Sequence, residues 1–245
     1  MTTVAVLADP PRPGAVLPAL VDDGPLDDEE AADLYTATLR DVCLAVESSG
    51  ADLLVNYRVP PDLSEDEAEA AVRTALDPAL DTGSTRFEVQ VGSSRSARVG
   101  NTVTHLLEEE GVRSVAALDP TAALVERRHV DSAAMKLRQS EVVLGPAPGG
   151  RAWYAAFTIP VDFTDVYDPP ALATLTDRGR SEDNDVDFMQ RLPVVETPAD
   201  LAGTLVELRA RKRADKHVPA HTTARLEAFD LAVVPTDDGI DVTRS

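Results

Sequence analysis

Apolar positions along the chain follow two alternating periods. Residues 3–7, 52–57, 86–91, 114–118, 141–144 and 153–159 read as short β-strands. The stretch 86–91 alternates apolar and polar. Val115-Ala116-Ala117-Leu118 and Val142-Val143-Leu144 are instead near-continuous, as suits strands buried on both faces. Between the strands the period lengthens. Over 29–48, Tyr35, Leu39, Val42 and Val46 recur at helical spacing and form one apolar face, with Asp27 and Asp28 ahead of it as caps. Ser64 opens a helix to Leu76, and Glu67 completes a capping box. Residues 100–110 and 121–138 are helical in pattern. Thr197-Pro198-Ala199-Asp200 combines an N-cap, an N1 proline and an N3 acid, and opens a helix to about Arg213; a shorter helix follows over 222–229. Residues 231–242 read as a small hairpin or edge strand turning at Thr236-Asp237-Asp238-Gly239.

This rhythm predicts an α/β fold, a Rossmann-like, mostly parallel sheet with helices on both faces. No internal repeat or long linker interrupts it, and 245 residues suffice for one sizeable domain. The expected division is a single α/β domain over 1–230, with 231–245 as a short C-terminal strand or hairpin extension.

Composition adds one strong feature. Hydrophobic residues at 43% and charged residues at 27% are ordinary for a chain with a core, but 43 acids against 23 bases leave a net charge of −20. The acids are dispersed, and Lys136, Lys212 and Lys216 are the only lysines among the bases. A surface that collects metal ions or a basic partner is one reading of such charge. Dispersion with scarce lysine predicts instead adaptation to molar salt, where charge is screened within roughly 3 Å, and so an extremely halophilic source. The same charge argues against nucleic acid as a partner, which needs clustered cations. The one basic run, from Arg209 to Lys216, falls late in a helix, where cations complement the dipole. The start lacks a basic and then apolar leader, and no apolar stretch approaches the ~20 residues of a membrane span, so a soluble cytoplasmic protein is expected. The one cysteine, Cys43, lies in an apolar helical stretch and reads as a small buried hydrophobe.

In open α/β sheets, ligands bind beyond the carboxyl ends of the strands. Four segments are expected at that edge: the loop 8–20, Asp119, the loop Gly145-Pro146-Ala147-Pro148-Gly149-Gly150, and the stretch around Glu196. Residues 8–20 match, without a gap, the pattern A-K-x-P-x-P-G-R-V-K-T-R-L at Ala8, Pro11, Pro13, Gly14, Val16 and Leu20; its four basic positions carry Asp9, Ala15, Leu17 and Ala19. Asp119 answers the first acid of G-S-D-S-P-D-L, whose second is Ala122. Gly145, Pro146, Ala147 and Gly150 answer G-P-A-x-D-G-G, with Gly149 at the acid and Arg151 following. Glu196-Thr197-Pro198-Ala199-Asp200-Leu201 answers the end of D-x-D-T-P-E-D-L, and Gly100 answers the second glycine of G-D-L-G-E-R.

In these motifs the chain resembles a glycosyltransferase-like family, formerly of unknown function, that includes transferases of arsenosugar biosynthesis. That family is related to 2-phospholactate guanylyltransferase and molybdenum-cofactor guanylyltransferase. The resemblance covers about residues 4–208 in order. It implies a GT-A fold and a nucleotidyl- or glycosyltransferase-like function that uses a nucleoside triphosphate or nucleotide sugar with Mg²⁺ or Mn²⁺. It implies Ala8, Pro11, Arg12, Gly14 and Gly100 on the nucleotide, Gly150 and Arg151 on the acceptor side, Asp119 on the metal and Glu196 in catalysis. Retained positions are mostly glycine, proline and apolar residues, whereas replaced ones are mostly charged. Lys and Arg clamps normally stabilise a di- or triphosphate, so their loss from the first loop points to weakened or lost activity. The alternative is a non-catalytic nucleotide- or metabolite-binding relative, or an interaction protein on the same scaffold.

Three further clusters carry less. His217 and His221 have zinc-like spacing, but Pro219 lies between them and no third ligand is near in sequence. The acidic run 181–187 lacks the glycine and terminal glutamate of an EF-hand and reads as an acidic helix start. Gly92-Ser93-Ser94-Arg95-Ser96 reads as a flexible loop without the ending of a P-loop.

Overall fold

The computed structural model describes residues 1–237 and 239–245; Asp238, in the expected 236–239 turn, lies outside the described residues, as does the side chain of Glu182. The strands are β1 (Thr2–Ala8), β2 (Asp52–Tyr57), β3 (Arg86–Val89), β4 (Ser114–Leu118), β5 (Val142–Pro146), β6 (Ala152–Phe157), β7 (Val186–Phe188), β8 (Leu231–Thr236) and β9 (Gly239–Arg244). The helices are α1 (Pro18–Asp22), α2 (Asp28–Glu47), α3 (Glu65–Leu76), α4 (Arg95–Thr104), α5 (Arg127–Lys136), α6 (Ala171–Gly179), α7 (Pro198–Arg213) and α8 (Ala220–Ala228).

Seven strands form one sheet in the order β3-β2-β1-β4-β6-β5-β7, and β8 with β9 makes a separate antiparallel pair. All neighbours in the large sheet are parallel except β6, which runs antiparallel between β4 and β5. The fold is the expected mostly parallel, Rossmann-like α/β architecture, with helices on both faces. Alternation along the strands divides the core. In β1, Val4, Val6 and Ala8 enter one apolar cluster, shared with α2, α3, α5 and α7, while Ala5 and Leu7 enter a second, shared with α4 and α6. Leu231 and Val242 join the first cluster, so the β8–β9 hairpin packs on the domain through one side.

Local chemistry explains most helix starts. Asp27 with Glu30, Ser64 with Glu67 and Thr197 with Asp200 each form a two-way capping box, with each cap contributing about 1 kcal/mol. No helix among the described residues is long and apolar enough to cross a membrane.

The structure departs from the pattern in five places. The helix expected over 121–138 begins only at Arg127, because the Asp119 carboxylate takes the Thr121 amide at 2.8 Å and its hydroxyl at 2.6 Å, holding 119–126 as a buried turn. The helix expected from Gly100 begins five residues earlier, because Ser94 caps it through the Ala97 amide at 3.1 Å; its last turn, His105–Glu109, is a π-helix. The acidic run is not a helix start: after the short turn Ser181–Asp183 it becomes the edge strand β7. Helices α1 and α6 lie where no helical period was evident.

Candidate functional site

The sheet reverses its winding between β1 and β4, since β2 and β3 lie to one side of β1 and β4 to the other. Beyond the carboxyl ends of these two strands lies a cleft of about 410 Å³, at the switch point where such sheets place ligands. Asp9, residues 15–19, Tyr35 of α2, Arg95 and Arg98 of α4, Asp119 and Glu196 line it. Leu17 lies in the left-handed region at φ 51° yet is buried, so its packing offsets a backbone cost of about 1–2 kcal/mol.

Each carboxylate in the cleft is matched by an arginine from another element. Asp9 pairs with Arg58, while its amide donates to the Tyr35 hydroxyl at 2.8 Å. Asp119, 4% exposed, sits just past β4 and holds its amide against the Trp153 carbonyl at 3.0 Å. One of its oxygens accepts both Thr121 bonds and the other takes Arg95 Nη2 at 2.6 Å. Burial alone would push the Asp119 carboxyl up; the Arg95 charge and the Thr121 hydrogen bonds prevail and hold it below the usual range. Glu196 takes Arg151 Nη1 at 2.7 Å and lies 3.9 Å from Arg95 Nη1. Burial, and then the Asp119 charge, raise its pKa despite both arginines.

Not all the residues expected at the site reach the cleft. Ala8 is buried in the sheet, where its carbonyl accepts the Arg58 amide at 2.9 Å. Arg12 turns outward into a bidentate pair with Asp62 at 2.7 and 3.2 Å, and with Gly14 lines a smaller, separate hollow. Pro11 lines neither of these cavities. Gly100 is covered by Phe163: a Cβ there would come within 2.7 Å of the Phe163 Cβ, so its smallness serves helix packing. Gly150 lies against Pro170, away from the cleft. Arg151 does not line the cleft but touches Glu196, which does, and each of its nitrogens is engaged: Nη1 on Glu196, Nη2 on Asp200 at 2.7 Å, and Nε on the Pro148 carbonyl at 2.8 Å. It bridges the glycine loop to the cap of α7 and positions Glu196.

Of the two arginines lining the cleft, Arg95 comes from the stretch 92–96 that reads as a flexible loop, and Arg98 follows it in the same helical turn. Arg98 donates Nε to Gln90 Oε1 at 2.8 Å, and Gln90 is itself fixed by the Asn56 carbonyl at 2.6 Å. Among the described residues Arg98 has no carboxylate within 4.0 Å. Burial, then the Arg58 charge, and finally Arg95 hold its pKa below the ordinary guanidinium value, with Asp9 offsetting part. Both arginines sit in the first turn of α4, where the helix dipole disfavours cations; α2, α3 and α7 carry acids there instead. That inversion, visible once Ser94 is taken as the N-cap, is the signal that could have found them.

With fold and geometry in hand, comparison with solved structures is informative. A Desulfovibrio desulfuricans protein provisionally named a nucleotide-diphospho-sugar transferase superposes with a TM-score of 0.77, covering 94% of this chain and 95% of its own at 21% identity. A 4-diphosphocytidyl-2C-methyl-D-erythritol synthase from Anaerococcus prevotii (TM-score 0.50, 14% identity) covers 85% of this chain and 96% of its own. A cytidylyltransferase from Leptospira borgpetersenii (0.50, 11%) covers 93% of each. The likeness is one of fold. No protein-family model and no curated protein matches the sequence, so kinship to the transferases named above rests on the loop resemblance alone.

The divalent metal that the resemblance implies does not fit this arrangement. Hard cations need free oxygen ligands. Both oxygens of Asp119 are committed, and Arg95 lies between Asp119 and Glu196. No group of three or more His, Cys, Asp or Glu side chains is placed to hold a metal among the described residues, His217 and His221 included.

Proposed function

We propose that the cleft binds the phosphate group of a nucleotide or nucleotide sugar, and that the chain is a nucleotidyl- or glycosyltransferase-like protein. One observation carries this reading. Arg98 is a partly buried guanidinium that lines the cleft at the sheet's switch point, with its Nη groups facing no carboxylate among the described residues. In a molecule of net charge −20, a spare cation beside Arg58 and Arg95 is a local expense that an anionic ligand would offset. The raised pKa of Glu196 and its bond to Arg151 support a role for it in exchanging a proton with an acceptor. The pairing of Asp9, Asp119 and Glu196 with arginines favours a second reading, a binder of the same ligands without turnover.

Thermal unfolding in molar KCl with GTP, CTP and UDP-glucose tests the proposal. A ligand at 100 times its Kd adds about 2.7 kcal/mol, or roughly 5–10 °C for a chain of this size. At least one should raise the Tm, and Arg98→Ala should abolish the rise without unfolding the protein. No rise with any nucleotide, or an unchanged rise in Arg98→Ala, would overturn it. Turnover of the bound nucleotide separates the two readings.

A further inference from the structure

The place between Asp119 and Glu196 is taken by a side chain. Arg95 reaches it from the first turn of α4, with Nη2 2.6 Å from Asp119 and Nη1 3.9 Å from Glu196, and its guanidinium lies 5.0 Å over the Tyr167 ring. The Tyr167 backbone is held in turn by Ser96 Oγ at 3.0 Å, so ring and arginine are fixed to the same helix start. The Arg95 side chain is 39% exposed and lines the cleft, and Nη1 has no partner closer than 3.9 Å. It therefore presents a donor to the cleft while its other end neutralises Asp119. From these contacts we infer that Arg95 acts as a built-in cation, and that this chain binds the phosphate groups of its ligand without a divalent metal.

The inference rests on the cleft's being a phosphate site, and three physical points support it. A metal bridging Asp119 to a phosphate would need one Asp119 oxygen; Oδ1 already accepts two bonds from Thr121, and Oδ2 faces the Arg95 guanidinium at 2.6 Å, whose charge repels a cation. Evicting Arg95 would leave a guanidinium without a counter-charge next to Arg98 and Arg58, whose mutual repulsion Asp9 and Asp119 now relieve. A guanidinium is also planar and permanently charged, with a forked donor set that suits phosphate oxygens. Arg95 and Arg98 are three positions apart on one helix and line the same cleft, Arg98 with both Nη groups facing no carboxylate among the described residues and Arg95 with its Nη1 no closer than 3.9 Å to one.

Two measurements on the full chain in molar KCl test this, with inorganic pyrophosphate and UDP-glucose as anion probes and Mn²⁺ alone as the metal probe. Wild-type protein should show the same Tm rise with the anion probes in excess EDTA as in Mg²⁺ or Mn²⁺, and should take up no Mn²⁺ by electron paramagnetic resonance. Arg95→Ala should lose about tenfold or more in anion affinity in EDTA. It should also gain a Mn²⁺ site through the freed carboxylates, lost again when Asp119→Asn is added. Arg95→Lys, which keeps the charge, should retain part of the EDTA-resistant binding. Anion binding by wild type only when Mg²⁺ or Mn²⁺ is present would overturn the inference and leave the phosphate site standing. So would stoichiometric Mn²⁺ uptake by wild type that Asp119→Asn removes, or unchanged anion affinity in a folded Arg95→Ala. Absence of any binding, with or without metal, would sink both this inference and the function proposed above. If Arg95→Ala fails to fold, the wild-type comparison of EDTA with metal decides by itself.

Discussion

Replacing Arg151 by methionine keeps most of its length and apolar contact while removing three polar bonds. The largest loss is at Asp200, 5% exposed, whose charged bond to Nη2 contributes about 1.5–3 kcal/mol. The Pro148 carbonyl loses its Nε donor, worth about 1 kcal/mol. The Glu196 pair is about one-third exposed and adds at most ~1 kcal/mol after solvent screening. Asp200 keeps its bonds from the Thr197 amide and hydroxyl at 3.0 and 2.8 Å, which limits the damage. Arg151→Met should therefore destabilise by about 3–4 kcal/mol, lowering the Tm by roughly 6–16 °C. Urea unfolding followed by circular dichroism measures it, and double-mutant cycles apportion it. Coupling of Arg151 to Asp200 should be about 2 kcal/mol, and to Glu196 less than about 1 kcal/mol. A total loss below about 1 kcal/mol, or stronger coupling to Glu196 than to Asp200, would refute the ordering by burial.

Gly145→Ala would set a methyl 2.5 Å from Trp153 Cε2 and 2.7 Å from its Nε1, so a destabilisation of about 1–3 kcal/mol is expected. Trp153 is the single tryptophan, and its emission should shift as the ring moves; an unchanged spectrum and stability would contradict the packing argument. The Glu196 carboxyl should titrate by NMR above the ordinary value of 4.5, moving down in Asp119→Asn and further up in Arg151→Met. Because the folded state holds this proton more tightly, Glu196 favours folding at pH below 4.5 and loses that contribution as pH rises through its raised midpoint; Glu196→Gln should flatten the stability profile there, and a steeper profile would reverse the sign. Asp41 receives the His221 and Thr222 amides at 3.1 and 2.7 Å at the start of α8, so Asp41→Ala should cost about 1–2 kcal/mol and release α8 amides to hydrogen exchange; unchanged protection would remove its capping role.

Much of the scaffold is legible along the chain because its causes are local. Strand β2, helix α3 and the start of α7 follow from side chains within three or four residues, through a short apolar run and capping boxes, whatever the rest of the molecule does. The expectation of a site beyond the carboxyl ends of the strands also follows from the alternation of strands and helices, whereas the reversal between β1 and β4 is known only from the strand order. The electrostatics of that site do not follow from the alternation. Asp9 with Arg58, Asp119 with Arg95, and Glu196 with Arg151 are joined across 24 to 49 positions, and only the strand order β2-β1-β4-β6 brings their carriers to one edge. Read by position, the first loop has lost its cations. In the folded chain, Arg95 and Arg98 of α4 line the cleft, while Arg58 after β2 and Arg151 after the glycine loop pair with its acids Asp9 and Glu196. Coulomb interaction acts through distance in space, so which acid is paired, and which arginine remains for a ligand, is decided by the tertiary structure alone.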